Sequence, residues 1–224
     1  MSAAPAVFVS HGSPMLPLEP GSAAPMLRQL GRELLARRPR AVLVMSPHWM
    51  TRGVAVGANE RPATLYDFHG FDPALRTLRY PVDGDPALAA RALELLQAGG
   101  VPAALDPRRG LDHGVWVPLR LMFEQGELPV VPLSMPWPLD AAQAWGLGEL
   151  LRPLREQGVL LLGSGSLTHN LHEFRGGATV DDPPEPYVLE FVAWVREAIA
   201  RGDGEALRDW AGQAPHALRA HPTP

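Results

Sequence analysis

Three of the chain's eight histidines each follow a short apolar run. His11 stands in Ser10-His11-Gly12-Ser13-Pro14, His48 in Ser46-Pro47-His48-Trp49, and His169 after the loop Gly163-Ser164-Gly165-Ser166-Leu167-Thr168. Imidazole carries protons near neutral pH and binds transition metals through a neutral ring nitrogen. If the preceding runs are parallel strands, their carboxyl ends share one rim, which is where open α/β sheets bind ligands. Three unrelated loop-capping histidines would need the same coincidence to repeat. The pattern therefore favours one nitrogen-rich metal site of His11, His48 and His169. Gly12, Pro14 and Pro47 would end the strands and fix the ring directions.

His113, in Leu111-Asp112-His113-Gly114-Val115-Trp116, suits two readings. Either Asp112 anchors a turn while His113 faces a cleft, or His113 is a plain loop residue ahead of an apolar helix. The segment Tyr66-Asp67-Phe68-His69-Gly70-Phe71 could wall a flat substrate or fill an apolar gap. His172, close behind His169, reads as a surface residue, and the arginines of Arg37-Arg38-Pro39-Arg40 as a solvated helix end. Gly163-x-Gly165 imitates a dinucleotide fingerprint. However, Thr168 holds the third glycine position, and Asp181 and Asp182 sit beside prolines.

The elements that must position these residues alternate along the chain. Strands are expected at 6–9, 41–45, 54–56, 130–133 and 159–162, the last two continuous enough to be buried on both faces. Amphipathic helices are expected at 23–38, 86–98, 116–123, 141–157 and 186–201. Asp85 and Asp140 read as N-caps, and Gly99-Gly100 and Gly158 as stops. The alternation predicts a single α/β domain over 1–224, with a mostly parallel or mixed central sheet and helices on both faces. Asp181-Asp182-Pro183-Pro184 is expected as a rigid loop inside it.

Composition narrows the chemistry. A chain of 224 residues, 46% hydrophobic and 20% charged, can bury a core without disulfide or zinc staples. There is no cysteine, which excludes thiolate ligands and nucleophiles. Every one of the 20 basic residues is Arg, so Schiff-base chemistry and a P-loop lysine are excluded too. A net charge of -4 argues against nucleic acid as a partner. No apolar run approaches the roughly 20 residues of a membrane span. Met1-Ser2-Ala3-Ala4-Pro5 lacks the basic and apolar regions of a signal peptide, so a cytoplasmic location is expected.

Five motifs occur together and in order: Ser10-His11-Gly12-Ser13-Pro14-Met15, Ser46-Pro47-His48-Trp49, Asp67-Phe68-x-Gly70-Phe71, Asp112-His113-Gly114-x-Trp116 and Thr168-His169-Asn170-Leu171. In this the chain resembles the class III extradiol ring-cleavage dioxygenases, most closely the DOPA-dioxygenase branch. The resemblance implies an α/β fold around a mixed sheet and a non-haem divalent metal, Fe(II) in active enzymes and often zinc as isolated. It implies that the histidines matching His11 and His48 bind that metal. The one matching His169 is a further ligand or an acid/base, and the one matching His113 contacts substrate and oxygen. Catechol-type aromatics and O₂ are the implied substrates, inserted and opened beside the two hydroxyls. Family members continue past a segment like Ala220-His221-Pro222-Thr223-Pro224 into a Glu-His pair that supplies a remaining ligand, whereas this sequence stops at Pro224. With three histidines and no assigned carboxylate, zinc would suit the site about as well as iron. Little ring cleavage is then expected of the 224-residue form.

The same residues admit two other classes: a metal-binding interaction protein without catalysis, and a chelatase-like protein that hands a metal to a tetrapyrrole, since Trp49 and the aromatics of Phe68 to Phe71 permit a flat ligand without choosing one. Oligomeric state is left open by the sequence.

Overall fold

The computed structural model describes residues 3–173 and 182–222. Asp181, in the expected rigid loop, lies outside them. Two compact units make up the chain: Met1–Pro138 with Leu147–Gly165, and Leu139–Gly146 with Ser166–Pro224.

The first unit holds the sheet. Its strands are β1 (Ala6–Ser10), β2 (Ala41–Thr51), β3 (Val54–Gly57), β4 (Ala103–Asp106), β5 (Val130–Pro136) and β6 (Val159–Gly165), in the order β1-β6-β2-β5-β3-β4. β1, β6, β2 and β5 are mutually parallel, while β3 meets β5 antiparallel and pairs with β4 in parallel. The expected α/β class with a mixed sheet is what forms. β4 was not expected: it is short, with no fully buried residue to give it an apolar signature. β2 runs six residues past the expected stretch through an irregularity. Ser46 pairs with Ser134 and Met50 with Met135, so Pro47, His48 and Trp49 have no opposite residue on β5.

The helices are α1 (Ala23–Leu35), α2 (Pro86–Ala98), α3 (His113–Met122), α4 (Ala141–Leu151) and α5 (Pro153–Glu156), followed by α6 (Pro186–Arg201), α7 (Gly204–Arg208), α8 (Trp210–Gln213) and α9 (Ala217–Ala220). The Asp85 carboxylate accepts from the Leu88 N–H at 2.8 Å, as a cap should. Asp140 and Gln143 cap each other reciprocally, at 2.7 and 3.0 Å. Pro153 divides the helix expected over 141–157, because proline cannot continue the bonding ladder. Ala41, Val42, Leu43 and Val44 of β2 are all buried, so both faces of the sheet are covered. On one face Val42, Val44, Leu160 and Leu162 meet Ala24, Leu27 and Leu34 of α1 and the apolar side of α3. In the second unit, Tyr187 and Phe191 of α6 pack with Ala217 and Ala220 of α9 and with Trp210.

α1 crosses α3 through the buried Gly31, where a Cβ would stand 2.8 Å from the Cα of Met122 and closer still to its carbonyl. Backbone cannot move aside as a flexible side chain can. We expect Gly31→Ala to cost about 2 kcal/mol by overpacking, lowering Tm by roughly 4–8 °C in a chain of this size. Differential scanning calorimetry checks this.

Candidate metal centre

The parallel strands do bring their carboxyl ends to one rim. His11 follows β1, and its N–H extends the ladder by donating to the Gly165 carbonyl at 3.1 Å. Gly12 then turns the chain at φ +64°, a conformation that favours glycine. His48 stands in β2 at the irregularity described above, off the register with β5. His113 is the first residue of α3, which begins three residues earlier than the sequence pattern suggested.

Three rings converge there: His11, His48 and His113. Their ligand nitrogens all lie within 4.8 Å of one another. The ring centroids of His48 and His113 are 3.9 Å apart, those of His11 and His48 4.9 Å, and those of His11 and His113 5.5 Å. His11 and His113 are buried and His48 is exposed, so the group opens to solvent on the His48 side.

Hydrogen bonds decide which ring nitrogens carry protons. The Ser164 hydroxyl donates its one proton to the Gly114 carbonyl, so towards His11 it acts as acceptor. The Nδ1–H of His11 therefore donates to Ser164 Oγ, at 2.9 Å, and leaves Nε2 with a lone pair. The Gly114 carbonyl is open to Ser164 because the residue four places on is Pro118, which has no N–H. Asp67 does the same for His113. One carboxylate oxygen accepts from the Nδ1–H at 3.0 Å and the other from the backbone N–H at 2.9 Å. Partial burial pushes the Asp67 carboxyl up. The hydrogen bonds from the ring and backbone of His113, and the attraction of that ring, outweigh this and hold it below the usual carboxylate range. The Asp112 side chain makes no capping bond, while its carbonyl accepts the Val115 and Trp116 N–H groups of the first turn, both at 2.9 Å, which agrees with the first of the two readings.

The Nε2 atoms of His11 and His48 lie 3.1 Å apart. Two nitrogens bound side by side to one ion at roughly 2.0–2.1 Å would show about that separation. The donors are neutral imidazoles, which suit zinc, copper, iron and nickel. The group could hold a metal ion.

His169 belongs to the second unit, where α9 holds its loop. The His169 N–H donates to the Ala220 carbonyl at 2.8 Å, Asn170 Nδ2 to the Arg219 carbonyl at 2.8 Å, and His221 Nε2 to the Leu167 carbonyl at 2.7 Å. His172 is exposed, as expected. Trp49 is buried with the Arg109 guanidinium 4.6 Å over its ring, so it offers no open wall to a flat ligand. Sequence reasoning missed Ser46, Ser164, Arg109 and Pro118, none of which carries a signal without its spatial partner.

Over residues 5–223 the chain matches the family described as the catalytic LigB subunit of aromatic ring-opening dioxygenase. The chain belongs to this family. It is 36% identical over 219 residues to a "4,5-DOPA dioxygenase extradiol" of Beta vulgaris, covering 97% of this chain and 81% of that one. It is 40% identical over 193 residues to a protein of the same name from Escherichia coli K12, covering 86% and 69%. The crystal structure of an uncharacterized protein of Escherichia coli K12 superposes with a TM-score of 0.76 at 32% identity, covering 98% of this chain and 83% of the other. The protein is thus an oxidoreductase of the ring-cleaving dioxygenase class, a reaction that requires an aromatic ring and O₂. Among the described residues, no helix is long and apolar enough to cross a membrane.

Removing the Ser164 hydroxyl should free the His11 ring to present a proton instead of a lone pair. We expect Ser164→Ala to fold normally and to bind Zn(II) about 10- to 100-fold more weakly. Competition against a chromogenic chelator gives the affinity.

Proposed function

We propose that this chain is an extradiol dioxygenase that opens a catechol-type ring beside its two hydroxyls, with Fe(II) held by His11 and His48 and with the His113 ring at the same point. The observation that carries this is the pinning of the Nδ1 protons of His11 and His113 on Ser164 and Asp67, which turns their other nitrogens into lone-pair donors. A bound Fe(II) would supply the one-electron chemistry that triplet O₂ needs to react with a catechol, which zinc in its place lacks.

The chain's own residues do the rest. The Asp67 carboxylate holds the proton on His113 Nδ1 and stabilises that ring when it takes up a second proton, so with Fe(II) on His11 and His48 the unligated Nε2 of His113 can accept one from a substrate hydroxyl. Phe68 stands edge-on to His113 at 5.7 Å, and Phe71 edge-on to Phe68 at 5.7 Å. Phe68 is buried while Phe71 is 41% exposed, leaving an aromatic face beside the rings for a flat substrate. The relatives named for DOPA support a substrate with two adjacent hydroxyls. His169 enters as further ligand or acid/base, a role supported by its place after β6 and by the motif Thr168-His169-Asn170-Leu171.

Oxygen uptake after anaerobic Fe(II) loading tests the reading. A three-histidine site with no assigned carboxylate leads to the expectation of little ring cleavage. The lone pairs aimed by Ser164 and Asp67 favour activity instead. We therefore expect a catechol to drive O₂ consumption with formation of a yellow semialdehyde, and His11→Ala to abolish both. Failure of the loaded parent protein to consume O₂ with any of a panel of catechols would sink the reading. His169→Ala should lower kcat by about 100-fold or more if the ring moves a proton. Phe71→Ala should raise KM with little change in kcat, since it removes binding surface and no proton carrier.

A further inference from the structure

Asp112 is fully buried at the head of α3, yet it spends neither oxygen on capping that helix. One oxygen accepts from the Ser46 hydroxyl at 2.6 Å and the other from Arg109 at 2.9 Å. Ser46 has then given up its proton, and its oxygen accepts the backbone N–H of His48 at 3.2 Å. The same Arg109 covers Trp49, the residue after His48, at 4.6 Å. Its Nε is buried with no acceptor among the described residues, a cost the fold accepts to keep the guanidinium there. The bonds thus join two chain segments that each carry a ring: His48 and Trp49 on one, Asp112 and His113 on the other. A Cβ on Gly114 would come within 2.8 Å of His48 Cδ2, which shows how closely the segments meet.

We propose that Arg109, Asp112 and Ser46 form a latch that holds His48 and His113 in register for an ion before the ion arrives. They are positioning residues, acting through the two rings. The inference rests on the metal reading above, and its test separates the two. Metal-free full-length protein is titrated with Co(II), reading both affinity and the visible absorption of the bound ion. Ser46→Ala, and the double variant Arg109→Met with Asp112→Asn, should each bind Co(II) about 10- to 100-fold more weakly and show an altered band, with unchanged far-ultraviolet circular dichroism. Arg109→Met alone strands a buried carboxylate and is prone to unfold, so the double variant, which removes both charges, carries the test. Parent-like affinity and spectrum in the folded double variant and in Ser46→Ala would overturn the latch. His48→Ala is the control: if it still binds Co(II) as the parent does, the metal reading itself fails and takes the latch with it.

Discussion

Three imidazole rings crowd to within 3.9–5.5 Å of one another, and to hold one ion each would have to turn a lone pair, not a proton, towards the same point. Left to itself a neutral imidazole places its proton on either nitrogen. Much of the surrounding structure follows from removing that freedom. The proton of His11 is drawn away by Ser164 on β6, and β6 is the strand between β1 and β2, so the sheet order itself puts the acceptor behind the ring. The proton of His113 is drawn away by Asp67, which arrives on a loop and caps α3 in the same act. Second-sphere partners of this kind fix both tautomer and ring direction.

The departures from regular structure sit where this arrangement needs them. A regular β2 would pair every residue with β5, and His48 would be one side chain of a flat ladder. The break in register between Ser46 and Met50 lifts it out to the rim. A regular α3 would engage the Gly114 carbonyl in its own ladder. Pro118 leaves that carbonyl to Ser164. Both irregularities cost regular backbone hydrogen bonds: the His48 N–H turns to the Ser46 hydroxyl of its own strand, and the Gly114 carbonyl to Ser164 on β6.

Sequence patterns revealed the strands and helices that are strongly apolar, because burial on both faces leaves continuous runs such as Val159-Leu160-Leu161-Leu162. They did not reveal β4 or the short helices α7 to α9, whose few buried residues set no period. The rim positions of His11 and His48 were legible, since each follows the apolar part of a strand. His113 was legible as a residue but not as a member of the group, because the head of a helix can face several ways. Asp67 stood in a quoted motif without a role. Ser164 and Asp112 were beyond sequence reasoning: each acts through a partner 153 or 66 residues away, and nothing local distinguishes such a residue from an ordinary turn former.

Charge adds a reason why the proposed catechol would suit this group better than a simple phenol. Neutral imidazoles leave a divalent ion with its full charge. Asp67 brings one negative charge to the back of His113, while the charge of Asp112 is already matched by Arg109. A surplus of positive charge in a partly buried site is unfavourable until an anion arrives. If an ion is held here, a catechol could give one hydroxyl proton to a nearby imidazole and offer two oxygens on one flat ring, offsetting the surplus. A monophenol offers half of that. The exposed flank at His48 and Phe71 leaves the approach open for such a ring, and the buried flank at His11 and His113 keeps the lone pairs aimed while it arrives.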